Sequence, residues 1–221
     1  NMFSMVIGPR LGEKFGQLRN RREVARLAAR ASELQAVAIS LPAALSIAVA
    51  TPLLAWLLPD YQTGLAPLPW LIPGVVALTL ALPASQYLVA VDRQRRALAV
   101  VAIATLLGAG GNHLALSGGF GLVGVAVATA IAYTVYFALV VGVSLWLELD
   151  RRERIRYLTM ITLAVLPTLG LAVGLDWYRP ASDSDWITTS AKVAAITLTW
   201  VLSATTLWHA GGWSKTWRAP Q

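Results

Sequence analysis

Across 221 residues, 57% hydrophobic against 13% charged side chains and a mean hydropathy of +0.61 exceed what a soluble core of this size can hide, so the chain reads as an all-α, polytopic membrane protein. In a soluble protein the net charge of +7 would raise nucleic acid as a partner, but here the basic residues sit between apolar runs and the expected partner is the lipid bilayer, with no nucleic acid. The absence of Cys excludes a disulfide framework, a thiolate metal site and a cysteine nucleophile.

Residues 1–10 begin with NMFSMVIG, which reaches only about 12 Å as a helix, and they read as the tail of a truncated span closed by Pro9 and Arg10. Residues 11–35 read as a basic cytoplasmic amphipathic segment. Asn20 with Glu23 has capping-box spacing, so a helix is expected to start at Arg21, with Val24, Leu27, Ala31 and Leu34 on its apolar side. Two placements follow: a helix lying on an anionic leaflet, the favoured one, or a solvated lead-in to the next span. Residues 36–58 are free of charge and make the first complete span, carrying Pro42 and Pro52. The loop from Pro59 to Gly64 returns the chain into a second span at 65–91, where Pro67, Pro69, Pro73 and Pro83 predict an irregular outer half.

After the basic loop 92–96, residues 97–147 contain 51 positions without Asp, Glu, Lys or Arg, enough for two crossings joined by a turn at Ser117–Gly121. The second arm carries Gly121, Gly124, Ala128 and Ala132 at near-helical spacing, small residues that let another backbone approach, so this face is expected to pack against protein. Residues 36–147 thus form a four-helix portion. Residues 148–221 add an arginine-rich loop read as a solvated charge mix, a fifth span at 157–175 with Pro167, a sixth near 187–210 and a basic tail. The expected fold is six complete transmembrane helices plus the truncated one and the amphipathic helix.

Sidedness follows from charge. The segments 10–33, 92–96, 150–156 and 215–218 fall on one side by strict alternation and hold 16 of the 18 Lys and Arg residues, which places them in the cytoplasm and the chain in the inner membrane. Trp56, Trp70, Trp177 and Trp186 then mark outer ends, and Trp146, Trp208, Trp213 and Trp217 inner ends.

The order of these signals resembles the C-terminal half of the multidrug/oligosaccharidyl-lipid/polysaccharide exporter superfamily, and within it the polysaccharide-type flippases. The resemblance is carried by Gly8-Pro9-Arg10-Leu11-Gly12, by LRNRREVARL, by Ser40-Leu41-Pro42 followed by Thr51-Pro52 and PDYQTGL, by AVDRQRRA, and by Asn112 followed by GFGLVGVAVATAIAY. The last is similar to an Asn then Gly-x-x-Gly-Ala-Ala-x-Ala-Thr signature, with Val125 and Val127 in place of the usual Ala and Ile. The likeness spans roughly residues 1–147. It implies alternating access for a polyprenyl-linked sugar substrate, with a missing N-terminal lobe of the same protein supplying the opposing wall.

Four residues are candidate substrate contacts: Arg10 at the mouth of the truncated span, Gln86 and Asn112 within spans, and Lys192 within the last one. Their alternatives are a topology anchor for Arg10, interhelical hydrogen bonds for Gln86 and Asn112, and snorkelling to the interface for Lys192. No metal or cofactor is expected. No span as delimited here contains Asp or Glu and no nucleotide-binding loop is present, so neither an enzyme nor a nucleotide-driven pump is expected. A cation-coupled drug exporter and a non-transporting scaffold subunit remain as alternatives.

Overall fold

In the computed structural model, residues 20–58, 60, 64–178 and 186–211 are described, and among them the regular structure is helical. The order is α1 (Arg21–Leu57), α2 (Leu68–Leu80), α3 (Leu82–Ala90), α4 (Gln94–Ser117), α5 (Gly121–Val143), α6 (Leu145–Glu148), α7 (Arg151–Tyr178) and α8 (Trp186–Gly211). These make six membrane-length apolar segments, with α2 and α3 sharing one crossing and α5 and α6 another. The chain is an all-α, multi-pass membrane bundle. Helices are the form this composition can take in lipid, because hydrocarbon offers the backbone no partner and each N–H must bond within its own segment.

The centre of the bundle is α1, which packs against α7, α8, α2 and α3. Asn20 caps it, its side chain accepting from the Arg22 N–H at 3.1 Å. Its 37 residues run about 55 Å, well beyond a hydrocarbon core of about 30 Å. From Arg21 onward the basic segment is continuous with the first span in one helix, the lead-in placement of the two, and it does not form a separate helix. The face that packs matches the expected one in part, since Val24 and Ala31 are buried. Ala25, Ala28, Ser32, Ala36, Ser40, Ala44 and Ala48 are buried at mostly fourfold spacing, whereas Leu27 and Leu34 are only partly buried. Small residues allow the backbones to close, so the packed face is centred on alanine and serine, with the leucines at its edge. The matching ridge on α7 is Tyr157, Ile161, Ala164, Thr168 and Ala172, also buried.

Polar side chains bond to backbone carbonyls before and at Pro42. Near Pro42, the Val37 carbonyl accepts from Ser40 Oγ at 3.1 Å and from Trp200 Nε1 of α8 at 2.8 Å, and Ser46 Oγ donates to the Pro42 carbonyl at 2.7 Å. The second crossing starts irregularly, with residues 65–67 in a turn and Pro67 as the N-cap of α2, and it breaks again at Ala81, two residues before Pro83. The Pro59–Gly64 loop, the truncated span, the segment 179–185 and the tail with Trp213 and Trp217 fall wholly or largely outside the described residues.

The hairpin is α4 and α5. Its turn ends α4 with the Gly119 N–H on the Leu116 carbonyl and the Phe120 N–H on the Ala115 carbonyl, a closure that places Gly119 at φ +75°, where glycine carries no Cβ penalty. From the turn, α5 packs on two neighbours. A Cβ added at Gly111 or Gly108 of α4 would lie 3.2 Å from Ala128 Cβ or 3.3 Å from Ala132 Cβ, and one at Gly74 of α2 would lie 2.5 Å from Ala130 Cα. The outer flank of α4, including Leu98, Leu106, Leu107 and Leu114, is exposed apolar surface suited to lipid.

The α2–α5 crossing yields a paired test. Gly74→Leu drives a side chain into the Ala130 backbone, so it should destabilise the detergent-solubilised protein by about 2 kcal/mol or more. Gly110→Leu, which meets open space, should leave the melting temperature unchanged or slightly raised. Equal melting of the two variants would contradict this crossing.

Candidate functional site

The charged residues gather at the end where α1 begins, where α3 gives way to α4 and where α6 gives way to α7. Three local devices build it. Asn20 starts α1. The α3–α4 link is closed by the Asp92 N–H on the Val89 carbonyl at 3.2 Å and the Arg93 N–H on the Leu88 carbonyl at 2.8 Å, with Asp92 at φ +58°, a left-handed position that Asp tolerates better than most residues. At the third junction the Asp150 N–H donates to Glu153 Oε2 at 2.9 Å and the Asp150 carbonyl accepts from the Arg154 N–H, which is capping-box geometry.

These junctions bring arginines of one helix to carboxylates of another. Arg22 pairs with Asp150, Arg26 Nε reaches Glu153 Oε1 at 2.6 Å, and Arg93 reaches Glu148 Oε1 at 3.2 Å. Deeper, Arg156 reaches Glu33 Oε2 at 3.1 Å, and the Glu33 side chain is only 4% exposed. The expected solvated charge mix at 148–156 is thus corrected: its acidic residues are interhelical ties. The error lay in treating the segment alone, since each carboxylate finds its arginine on α1 or at the start of α4. Arg154 instead donates to the Leu149 carbonyl at 2.8 Å and lies 5.1 Å from the Trp146 ring centroid.

Around this layer are polar groups buried in the bundle. Tyr87, Tyr157 and Thr168 are essentially inaccessible, yet their hydroxyl oxygens make no well-formed hydrogen bond within the protein. Tyr157 lies beside Ser32 and Glu33, and Tyr87 beside Glu148. Arg21, Arg30, Arg95, Arg96, Arg151 and Arg152 remain exposed on the rim. The arrangement can hold an anionic group at the rim while its ion pairs clamp the helix ends together. Among the described residues, no group of three or more His, Asp or Glu is placed to hold a metal ion.

Of the candidate contacts named from sequence, the three described ones lie on three different helices. Arg10 lies outside the described residues. Asn112 Oδ1 accepts from Thr129 Oγ1 at 3.2 Å, joining α4 to α5. Gln86 is half-buried on α3, but the polar tie of that turn is made by its neighbour Ser85, whose Oγ is 2.8 Å from Tyr136 Oη. Lys192, half-buried on α8, lies within electrostatic range of Asp176 on α7. That aspartate lies in the last turn of α7, which runs three residues past the expected end of its span.

The small residues also divide. Gly124 faces Ala115, and Ala128 faces Gly111, both within the hairpin. Gly121, placed both in the turn and on the packing stripe, opens α5 at φ +60° with open space where a Cβ would stand, which fits the turn and not the stripe. Sequence reasoning missed Glu33, Arg156 and the Asp150–Glu153 cap. Only the last had a local signal, its i to i+3 spacing.

Comparison with known proteins adds no family to this picture: no family model, curated protein or solved structure matches the chain.

The ion pairs differ in depth, and that sets their expected worth. Arg156→Ala should cost about 3 kcal/mol, because it strips the pairing charge from a carboxylate held inside the bundle. Arg26→Ala, at a pair whose side chains are 44% and 29% exposed, should cost less than about 1 kcal/mol. Thermal melting of both variants in one detergent checks the order, and a larger loss for Arg26→Ala would contradict it.

Proposed function

We propose that this chain is one lobe of a membrane flippase or exporter that moves lipid-linked oligosaccharide or polysaccharide precursors by alternating access. It would work in the cytoplasmic membrane with its basic end facing the cytoplasm, the side favoured by the concentration of Lys and Arg. The observation that carries the reading is the hairpin signature. Asn112 and Thr129, the first and last residues of the Asn…Gly-x-x-Gly-Ala-Ala-x-Ala-Thr resemblance, meet through a 3.2 Å hydrogen bond between α4 and α5. Residues of the resemblance that are distant along the chain thus serve one packed unit, which supports reading the motif as a whole rather than as chance composition.

The physics of the substrate fits such a lobe. A pyrophosphate carrying hydrated sugars cannot cross hydrocarbon unaided, so a polar wall must receive the head group while the lipid tail stays in the bilayer. Alternating access needs two bundles moving against each other, so the proposed mechanism requires an opposing lobe as partner. Arg10, Gln86, Asn112 and Lys192 are the proposed contacts on this side, with Asn112 already engaged by Thr129.

A cation-coupled drug exporter is the second reading, favoured by Asp176, an acidic group within the α7 helix beside Lys192.

The test is reconstitution in liposomes with a fluorescent lipid-linked sugar. Residues 1–221 alone should give no flipping above protein-free vesicles, and activity should appear when an opposing lobe is co-expressed. Robust flipping by the chain alone, weakened by Arg10→Ala, would contradict the two-lobe account. Uptake of a cationic dye driven by an ion gradient and lost in Asp176→Asn would favour the second reading.

A further inference from the structure

The basic end separates its charges into two layers. Glu33, Glu148, Asp150 and Glu153 are each engaged by an arginine of another helix, so these carboxylates are turned to the bundle's own ties. Arginines outnumber acidic residues at this end, and the surplus is what remains outside: Arg95 and Arg96 on the first turn of α4, and Arg151 and Arg152 on the first turn of α7, all exposed. Each pair is followed on the same helix by a large exposed apolar side chain, Leu98 at 70% and Ile155 at 56% exposure. Arg95 and Leu98 are three positions apart, and so are Arg152 and Ile155, so cation and apolar side chain share one helix face.

We propose that this rim is a binding surface for anionic phospholipid head groups, with the phosphates on Arg95, Arg96, Arg151 and Arg152 and the first acyl carbons along Leu98 and Ile155. Charge complementarity selects the anion, since a guanidinium fork matches a phosphate oxygen pair. The apolar partner one turn deeper selects a lipid over free phosphate, because a soluble anion has nothing to lay against Leu98 or Ile155. Both helices run from these turns directly into membrane-length apolar segments, which sets the arginines at head-group depth. The inference concerns the rim alone and stands whether or not the chain belongs to a flippase.

The experiment places the full chain in nanodiscs of phosphatidylcholine mixed with phosphatidylglycerol and counts the lipids retained after transfer to detergent, by native mass spectrometry. The wild type should retain phosphatidylglycerol over phosphatidylcholine by more than about tenfold, given roughly fivefold per basic residue at the surface. Replacing all four arginines by Gln should bring the ratio close to parity, and replacing all four by Lys should keep most of the preference. Arg26→Gln, at a residue tied to Glu153, should leave the ratio unchanged. Equal retention of the two lipids by the wild type overturns the proposal without recourse to any variant. So does a preference that survives the four Gln substitutions, or one that inorganic phosphate abolishes where chloride at matched ionic strength does not.

Discussion

Close approach of α1 and α7 is the constraint on which the rest of the bundle depends. In lipid there is no hydrophobic gain from bringing two apolar helices together, so association rests on packing and on polar ties. The α1 stripe of Ala25, Ala28, Ser32, Ala36, Ser40, Ala44 and Ala48 provides the first by removing bulk from the seam. The same principle recurs where α5 meets α4 through Gly111 and Ala128, and where it meets α2 through Gly74 and Ala130. Each contact works by what the side chain lacks.

Polar ties then fix register along the seam. Arg22, Arg26 and Glu33 occupy the first four turns of α1, and all three meet charged partners on or beside the start of α7. A helix sliding by one turn would lose these pairs together and take the Arg156 guanidinium away from a carboxylate held inside the bundle. Farther along α1, the Trp200 indole binds the Val37 carbonyl and ties α8 to the same helix. The exposed arginines of the rim are free of this work, which is why one end of the molecule can be at once its most cross-linked region and its most positively charged surface.

The apolar segments, their number and the hairpin turn were legible in the sequence, because a run without charges and a Gly-rich break are local properties. The pairing of charges was not. Glu148, Asp150 and Glu153 beside four arginines look like a solvated loop when read alone, and only the return of α1 and α4 to the same end turns them into ties. The buried face of α1 was placed in part, for a related reason: Val24 and Ala31 of the expected stripe are buried, but size-based periodicity also chose Leu27 and Leu34 and passed over the alanine and serine positions that the neighbour selected. Asp176 was placed just past the fifth span, whereas the helix extends to Tyr178 and takes it into its last turn. Asn112 and Gln86 were correctly singled out as polar groups in apolar helices, but sequence spacing could not name Thr129 as the partner of Asn112 or show that Ser85, not Gln86, meets Tyr136.

The central claim is that the basic start of α1 stands in the bundle against α7 instead of lying along the membrane surface. The chain has no native cysteine, so Arg26→Cys with Glu153→Cys gives a clean pair at a contact of 2.6 Å between the native side chains. Because the native contact is made by the tips of two long side chains, a short bifunctional thiol reagent rather than a direct disulfide should bridge the two cysteines in native membranes, producing a mobility shift that prior blocking with a monofunctional reagent prevents. Absence of the cross-link, together with quenching of a fluorophore at position 26 by a quencher confined to the lipid phase, would contradict the account and return that segment to the membrane surface.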